Sequence, residues 1–295
     1  MTSAAQLIPP DVYARLSGLR LLARLATGQG IGSHNSRARG AGLEFAQYRA
    51  YEPGDEPRRV DWKLYARSDR FFVREAERDS PLTVWVIVDA SASMAQVDSQ
   101  APERSRITAA RTIAACIAEL ALRQNDRFGL AIAGGAGLTV VDAAYGRRQR
   151  DRIDFELRHV QPKGLFPAAG ALRPVWEKIA PAALVLMISD GFEEGVTALA
   201  EKLAAAQREV AVVRVLTADE RDFRFEGSPR FRDPESAGDQ RRVDAVAARD
   251  EFLQRFGAAR SELRRRLAAA GVRLEEHVTD EAADGLLRRL LRESA

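Results

Sequence analysis

Leu82-Thr-Val-Trp-Val-Ile-Val88 runs straight into Asp89-Ala-Ser91-Ala-Ser93-Met94. A short, almost wholly apolar run ending in one carboxylate and two hydroxyls reads as a strand buried on both faces that delivers polar side chains at its carboxyl end. Two further apolar runs match it, 183–188 and 210–216, and the first ends in Ser189-Asp190-Gly191. Helical patterns cover 107–123, 150–159, 196–207, 245–270 and 281–292, and strands are expected at 128–133, 138–141 and 272–277. Residues 168–179 read as a helix interrupted by Pro174, and 227–239 as a turn-rich loop or hairpin. Strands alternating with helices predict an α/β fold with a doubly wound, mainly parallel sheet.

Upstream, Pro9, Pro10 and Asp11 signal a helix start. Leu16, Leu19, Leu22 and Leu25 recur at helical spacing until Gly28, Gly30 and Gly32. A polar loop through His34, Asn35 and Ser36 leads to an Arg- and aromatic-rich stretch, 45–74. Within it Glu52-Pro53-Gly54-Asp55 reads as a type II turn and 71–73 as a short strand. The expected division is a small N-terminal module, 1–80, and a main domain, 81–295. The Leu16, Leu19 and Leu22 face and Trp62 look suited to burial against that domain.

Composition narrows the function. The 295 residues are 46% hydrophobic, enough for a sizeable core, and 45 basic residues nearly cancel 42 acidic ones. No basic stripe interleaves with aromatics, so nucleic-acid binding is not expected. Cys116 is the single cysteine, which excludes an intrachain disulfide and suits core packing. Arg15, Arg20 and Arg24 break up the N-terminal leucines, and no uncharged run approaches the roughly 20 residues that a bilayer needs. Membrane insertion is therefore not expected, and the expected address is cytoplasmic.

In open parallel sheets ligands bind beyond the carboxyl ends of the strands. Asp89, Ser91, Ser93 and Asp190 stand there as oxygen donors, the chemistry a hard cation such as Mg2+ takes. The plainer role for the two acids is to cap the turns that follow them. His34, His159 and His277 show no ligand spacing. Ser91 lacks a nucleophile elbow. Gly134-Gly135-Ala136-Gly137 has no Lys-Ser/Thr pair and suits a tight turn between strands rather than a phosphate loop.

Asp89, Ser91, Ser93 and Met94 resemble the metal-ion-dependent adhesion site that opens von Willebrand factor A domains, with Asp190 where such domains place a second aspartate. Gly42-Leu-Glu-Phe45, Arg49-Ala-Tyr51, Pro53-Gly54-Asp55, Arg58, Val60-Asp61-Trp62 and Ala66-Arg67 follow the order and spacing of the bacterial family catalogued as domain of unknown function 58. The chain resembles its soluble branch. The resemblance implies a von Willebrand factor A-like domain behind a family-specific module, acting as a binding module rather than an enzyme. It implies a protein partner, a MoxR-type AAA+ ATPase or its client, in the assembly or maturation of other proteins. It implies Mg2+ or another divalent cation held by Asp89, Ser91 and Ser93, with Asp190 acting through water and a partner carboxylate completing the set.

One departure weakens the cation site. Aligning Lys163-Gly164-Leu165-Phe166-Pro167-Ala168 with the family's loop puts Phe166 where a Thr ligand is expected, and Lys163 would set an ammonium nearby. A Thr at 166 would restore the ligand. The alternatives are a metal-independent scaffold with a degenerate site, and a metal-dependent hydrolase using Asp89 and Asp190. Upstream, Arg49, Asp61 and Arg67 would form ion pairs, with Trp62 and Tyr51 as packing. The sharper reading makes Arg49, Tyr51, Gly54, Asp55, Arg58, Asp61, Trp62 and Arg67 a partner-docking surface.

Overall fold

A computed structural model of the chain describes residues 6–21, 45–52, 55, 60–76, 81–135, 137–168, 170–225, 230–232 and 240–291, with the backbone alone at 45–49, 74–76, 230–232 and 240–242. Leu22, Leu25, Gly28, Gly30, Gly32, His34, Asn35, Ser36, Gly42, Pro53, Gly54, Arg58 and Ala136 lie outside the described residues. So do 226–229 and 233–239, most of the expected turn-rich segment.

In chain order the elements are α1 (Pro10–Arg15), β1 (Phe45–Ala50), α2 (Trp62–Ser68), β2 (Phe72–Ala76), β3 (Thr83–Asp89), β4 (Val97–Asp98), β5 (Ala101–Ser105) and α3 (Arg106–Arg123). Then come β6 (Arg127–Gly134), β7 (Gly137–Ala144), α4 (Arg147–His159), α5 (Arg173–Trp176), β8 (Leu184–Ser189), α6 (Glu194–Ala205), β9 (Glu209–Leu216) and α7 (Ala218–Asp222). The last are β10 (Arg230–Arg232), β11 (Gln240–Arg242), α8 (Ala245–Ala269), β12 (Arg273–Val278) and α9 (Ala283–Leu290). They fall into two compact units, Met1–Gly28 with Leu82–Ala295, and Gln29–Pro81.

The larger unit is built on a six-stranded sheet in the order β12-β9-β8-β3-β6-β7. Every pairing is parallel except β6 with β7, whose hairpin closes at Gly134 opposite Gly137. The expected doubly wound, mainly parallel sheet is thus the observed one. The uniform apolar run of β3 has a direct cause, because alternate side chains enter different layers. Val84, Val86 and Val88 join Ile113, Ile117, Leu157 and Leu287 from α3, α4 and α9. Trp85 and Ile87 join Val196, Leu199 and Leu267 from α6 and α8. Each such side chain stabilises the fold by about 1.5–3 kcal/mol through burial. Strand order reverses between β3 and β8, which are neighbours in space but not in sequence.

The first helix belongs with this sheet, whereas the sequence reading set it in an N-terminal module. Val12, Leu16 and Leu21 are buried in the same cluster as Ile117 and Leu290. The Tyr13 hydroxyl donates to Glu119 at 3.0 Å, and the Gln124 amide both accepts from the Leu21 N–H and donates to its carbonyl. The helix expected over 168–179 is also corrected. Only the single turn α5 forms, with Pro174 at its start, where a missing N–H costs nothing.

In the smaller unit, β1 and β2 pair antiparallel and Val60 bridges Val73. Asp61 is the N-cap of α2, accepting the Lys63 and Leu64 amides at 3.0 Å each. The turn between Glu52 and Asp55 is closed by the Asp55 amide on the Glu52 carbonyl at 3.0 Å. Phe71 stacks on Tyr65 with ring centres 4.4 Å apart, and Trp62 and Tyr51 approach it at 6.3 and 6.2 Å. Trp62 is 59% exposed. The inward positions are taken by Val60 and Val73.

Candidate functional site

Because β3 and β8 are adjacent and parallel, Asp89 and the Ser189-Asp190 pair emerge side by side at the switch point. Asp89 is 1% exposed, Ser91 and Asp190 are fully buried, and Ser93 is nearly so. One Asp89 oxygen accepts the Ser91 amide at 2.8 Å and the other accepts the Ser189 hydroxyl at 2.7 Å. Desolvation pushes the Asp89 carboxyl up to about 6; hydrogen bonds from Ser189 and Ser91 oppose that rise and the nearby Asp190 charge adds to it. The Ser91 and Ser93 hydroxyls share a hydrogen bond of 3.0 Å.

Asp190 is held differently. Its Oδ1 accepts the Phe192 amide at 3.1 Å, and its Oδ2 accepts the guanidinium of Arg106 at 2.7 Å. Arg106, 4% exposed, also donates to the Ser93 carbonyl at 2.9 Å and pairs with Glu220. Glu220 in turn forms the capping box of α7 with Thr217. Beside it, Asp219 accepts the amide and hydroxyl of Ser99, which ties down the β4–β5 hairpin.

A second buried arginine, Arg214 of β9, donates to the Asp190 carbonyl at 3.0 Å. Gly191 turns the chain here with φ of 74°, a conformation that favours glycine, and a Cβ on it would sit a tight 3.3 Å from the Arg214 stem. Phe192 then lies over both guanidiniums, 5.5 Å from Arg106 and 5.2 Å from Arg214, and is 57% exposed.

The loop before α5 closes the same end. Lys163 donates its amide to the Ala90 carbonyl at 2.9 Å, and the Gly164 carbonyl accepts the Ala92 amide at 2.7 Å. A Cβ on Gly135 would lie 2.5 Å from the Gly164 Cα, so only glycine fits this crossing. Phe166 is 7% exposed and buried among Val196, Leu199 and their neighbours, while Leu165 is 56% exposed.

The four sequence-derived donors are thus brought together, but the set does not suit a divalent ion. The Oδ2 of Asp190 is already paired with the buried Arg106 guanidinium, a positive charge that a divalent ion would meet at close range. The side chain at 166 points into the core, and the cation beside the acids is Arg106 rather than Lys163.

The family model described as protein of unknown function DUF58 matches residues 47–263. The chain belongs to this family. This DUF58 chain is 29% identical over 255 residues to an uncharacterized protein of Mycobacterium tuberculosis strain H37Rv, which covers 84% of this chain and 78% of that one; an uncharacterized protein of Mycobacterium bovis matches equally. Among solved structures it is similar to the conserved hypothetical protein BatB from Bacteroides thetaiotaomicron, with 15% identity, a TM-score of 0.43, and 71% of this chain and 97% of that one covered. It is also similar to the SpRpn10 VWA domain, with 11% identity, a TM-score of 0.40, and 71% and 95% covered. The fold rests on the strand order and register given above. No helix among the described residues is long and apolar enough to cross a membrane.

The upstream motif of this DUF58 chain lies in the other unit. Tyr51, Asp55, Asp61, Trp62 and Arg67 belong to Gln29–Pro81, and Arg49 is described there by its backbone in β1. Sequence reasoning missed Arg106, Arg214 and Glu220. Arg106 leaves one local trace: it opens α3, where the helix dipole disfavours a positive charge.

Proposed function

We propose that this DUF58 chain is a von Willebrand factor A-like protein-binding module, acting in the cytoplasm with a MoxR-type AAA+ ATPase in the assembly or maturation of client proteins. One observation carries the reading. At the carboxyl end of the sheet, exposed Phe192 and Leu165 stand on tightly bonded turns above a buried, internally paired ion network. Exposed apolar side chains on rigid supports are what a docking surface requires. The acids that a hydrolase would use are shut away, Asp190 at 0% and Asp89 at 1% exposure. The ATPase partner is what the family resemblance implies.

The test is interferometry of the purified chain against a MoxR-type ATPase from the same organism. The expected result is saturable binding that Phe192→Ala with Leu165→Ser weakens by about tenfold, equivalent to roughly 1.4 kcal/mol. Absence of binding, or binding indifferent to both substitutions, overturns the reading. Phosphatase or esterase activity lost in Asp89→Asn would favour the hydrolase instead.

A further inference from the structure

We propose that the guanidinium of Arg106 is the resident cation of the switch-point site, so that the site keeps its shape, and the rim engages its partner, without a divalent metal. The part concerning the partner rests on the docking reading above.

The geometry is that of a cation held in a cage. Arg106 receives a backbone carbonyl from the turn after β3 (Ser93), a carboxylate from the turn after β8 (Asp190) and a second carboxylate from the helix after β9 (Glu220). One side chain therefore ties three strand ends together. The two carboxylates approach different terminal nitrogens, Nη1 and Nη2, which a planar fork presents in fixed directions and a spherical ion does not. At 4% exposure this charge is tolerable only because it is paired. A divalent ion placed beside it would meet like charge at reduced dielectric. It would gain no oxygen from Phe166, which is committed to the core. Two acids and a carbonyl already occupy the terminal nitrogens of Arg106, and its Nε, without a partner among the described residues, is buried, so contact with a partner falls to Phe192 and Leu165.

The experiment uses the full chain. Mn2+ titration followed by electron paramagnetic resonance, with Mg2+ calorimetry alongside, should show no saturable binding at millimolar metal. The melting temperature should be the same in EDTA and in excess Mg2+. Arg106→Ala should lower the melting temperature by several degrees, and Arg106→Lys, which keeps the charge and loses the fork, should fall between. Saturable Mn2+ or Mg2+ binding by the unaltered chain, or an Arg106→Ala chain as stable as the parent, overturns the assignment. If Arg106→Ala does not fold, the titration of the unaltered chain decides alone. Binding to the nucleotide-free ATPase in EDTA supports both readings, whereas binding only with added Mg2+ overturns this one and leaves the docking reading standing. A flat Mn2+ titration without any ATPase binding leaves the cation assignment standing and removes the docking reading.

Discussion

His277 lies in β12 opposite Val215 of β9, 2% exposed, and its Nδ1 has no hydrogen-bond partner among the described residues. Burial disfavours the imidazolium and takes the pKa from 6.5 down to about 4, with Glu281 and Asp280 pulling it up and Arg289 pushing it down. A base depressed in this way contributes its full stability above pH 6.5 and loses it as the pH falls towards 4, in all by roughly 3 kcal/mol. Asp89 works in the opposite sense. Its raised pKa lets the folded form take up a proton more readily than the unfolded chain between about 6 and 3.8, so it gains stability as the pH falls. Urea denaturation at about pH 7 and about pH 5 separates the two, because His277→Gln should lose less stability on acidification than the parent. Equal losses would rule the histidine out. At this scale the acids were legible, because Asp89 and Asp190 directly follow apolar runs. Arg106 was not, since its partners Asp190 and Glu220 lie 84 and 114 residues away and nothing local names them.

Strands and long helices were legible as elements for a simple reason. β3, β8 and β9 are buried on both faces and spell that out residue by residue. The short elements depend on single capping or cross-chain bonds instead. α7 is five residues held by the Thr217–Glu220 box, α2 hangs on Asp61, and the β4–β5 hairpin is pinned by Ser99 to Asp219. The loop 163–167 shows how an element changes the meaning of a residue. Alignment to a motif makes Phe166 a vacant ligand position, but the loop turns its ring into the core behind α6, against the backbone of Gly195. Phe166→Thr should therefore destabilise the chain by on the order of 3 kcal/mol, mainly through the cavity it leaves. Guanidinium chloride denaturation measures this directly. A variant as stable as its parent would show that the loop can rearrange and that a ligand at 166 is attainable.

In the whole molecule the unit Gln29–Pro81 interrupts the sheet-bearing unit in sequence, with α1 on one side of it and β3 on the other. A chain starting at Leu82 would lose Val12, Leu16 and Leu21 from the core, each worth about 1.5–3 kcal/mol, against a typical total stability of about 5–15 kcal/mol. Replacing 29–81 by a flexible Gly-Ser linker keeps those contacts. The linked variant should melt cooperatively and well above the truncated one. The reverse order would mean that α1 contributes nothing to the sheet-bearing unit. The order of elements was readable in the sequence, but this grouping was not, because a short helix declares its allegiance only through the surface that covers it. That surface includes α9, where Arg15 pairs with Asp284 at 3.0 Å and the Arg15 carbonyl accepts from Arg288, 273 residues further on. During synthesis at about 5–20 residues per second, α1 leaves the ribosome roughly ten to fifty seconds before α9 exists. Through that interval the Val12 and Leu16 face has no final seat, so the synthesis of α9 is what completes the part of the core that α1 began.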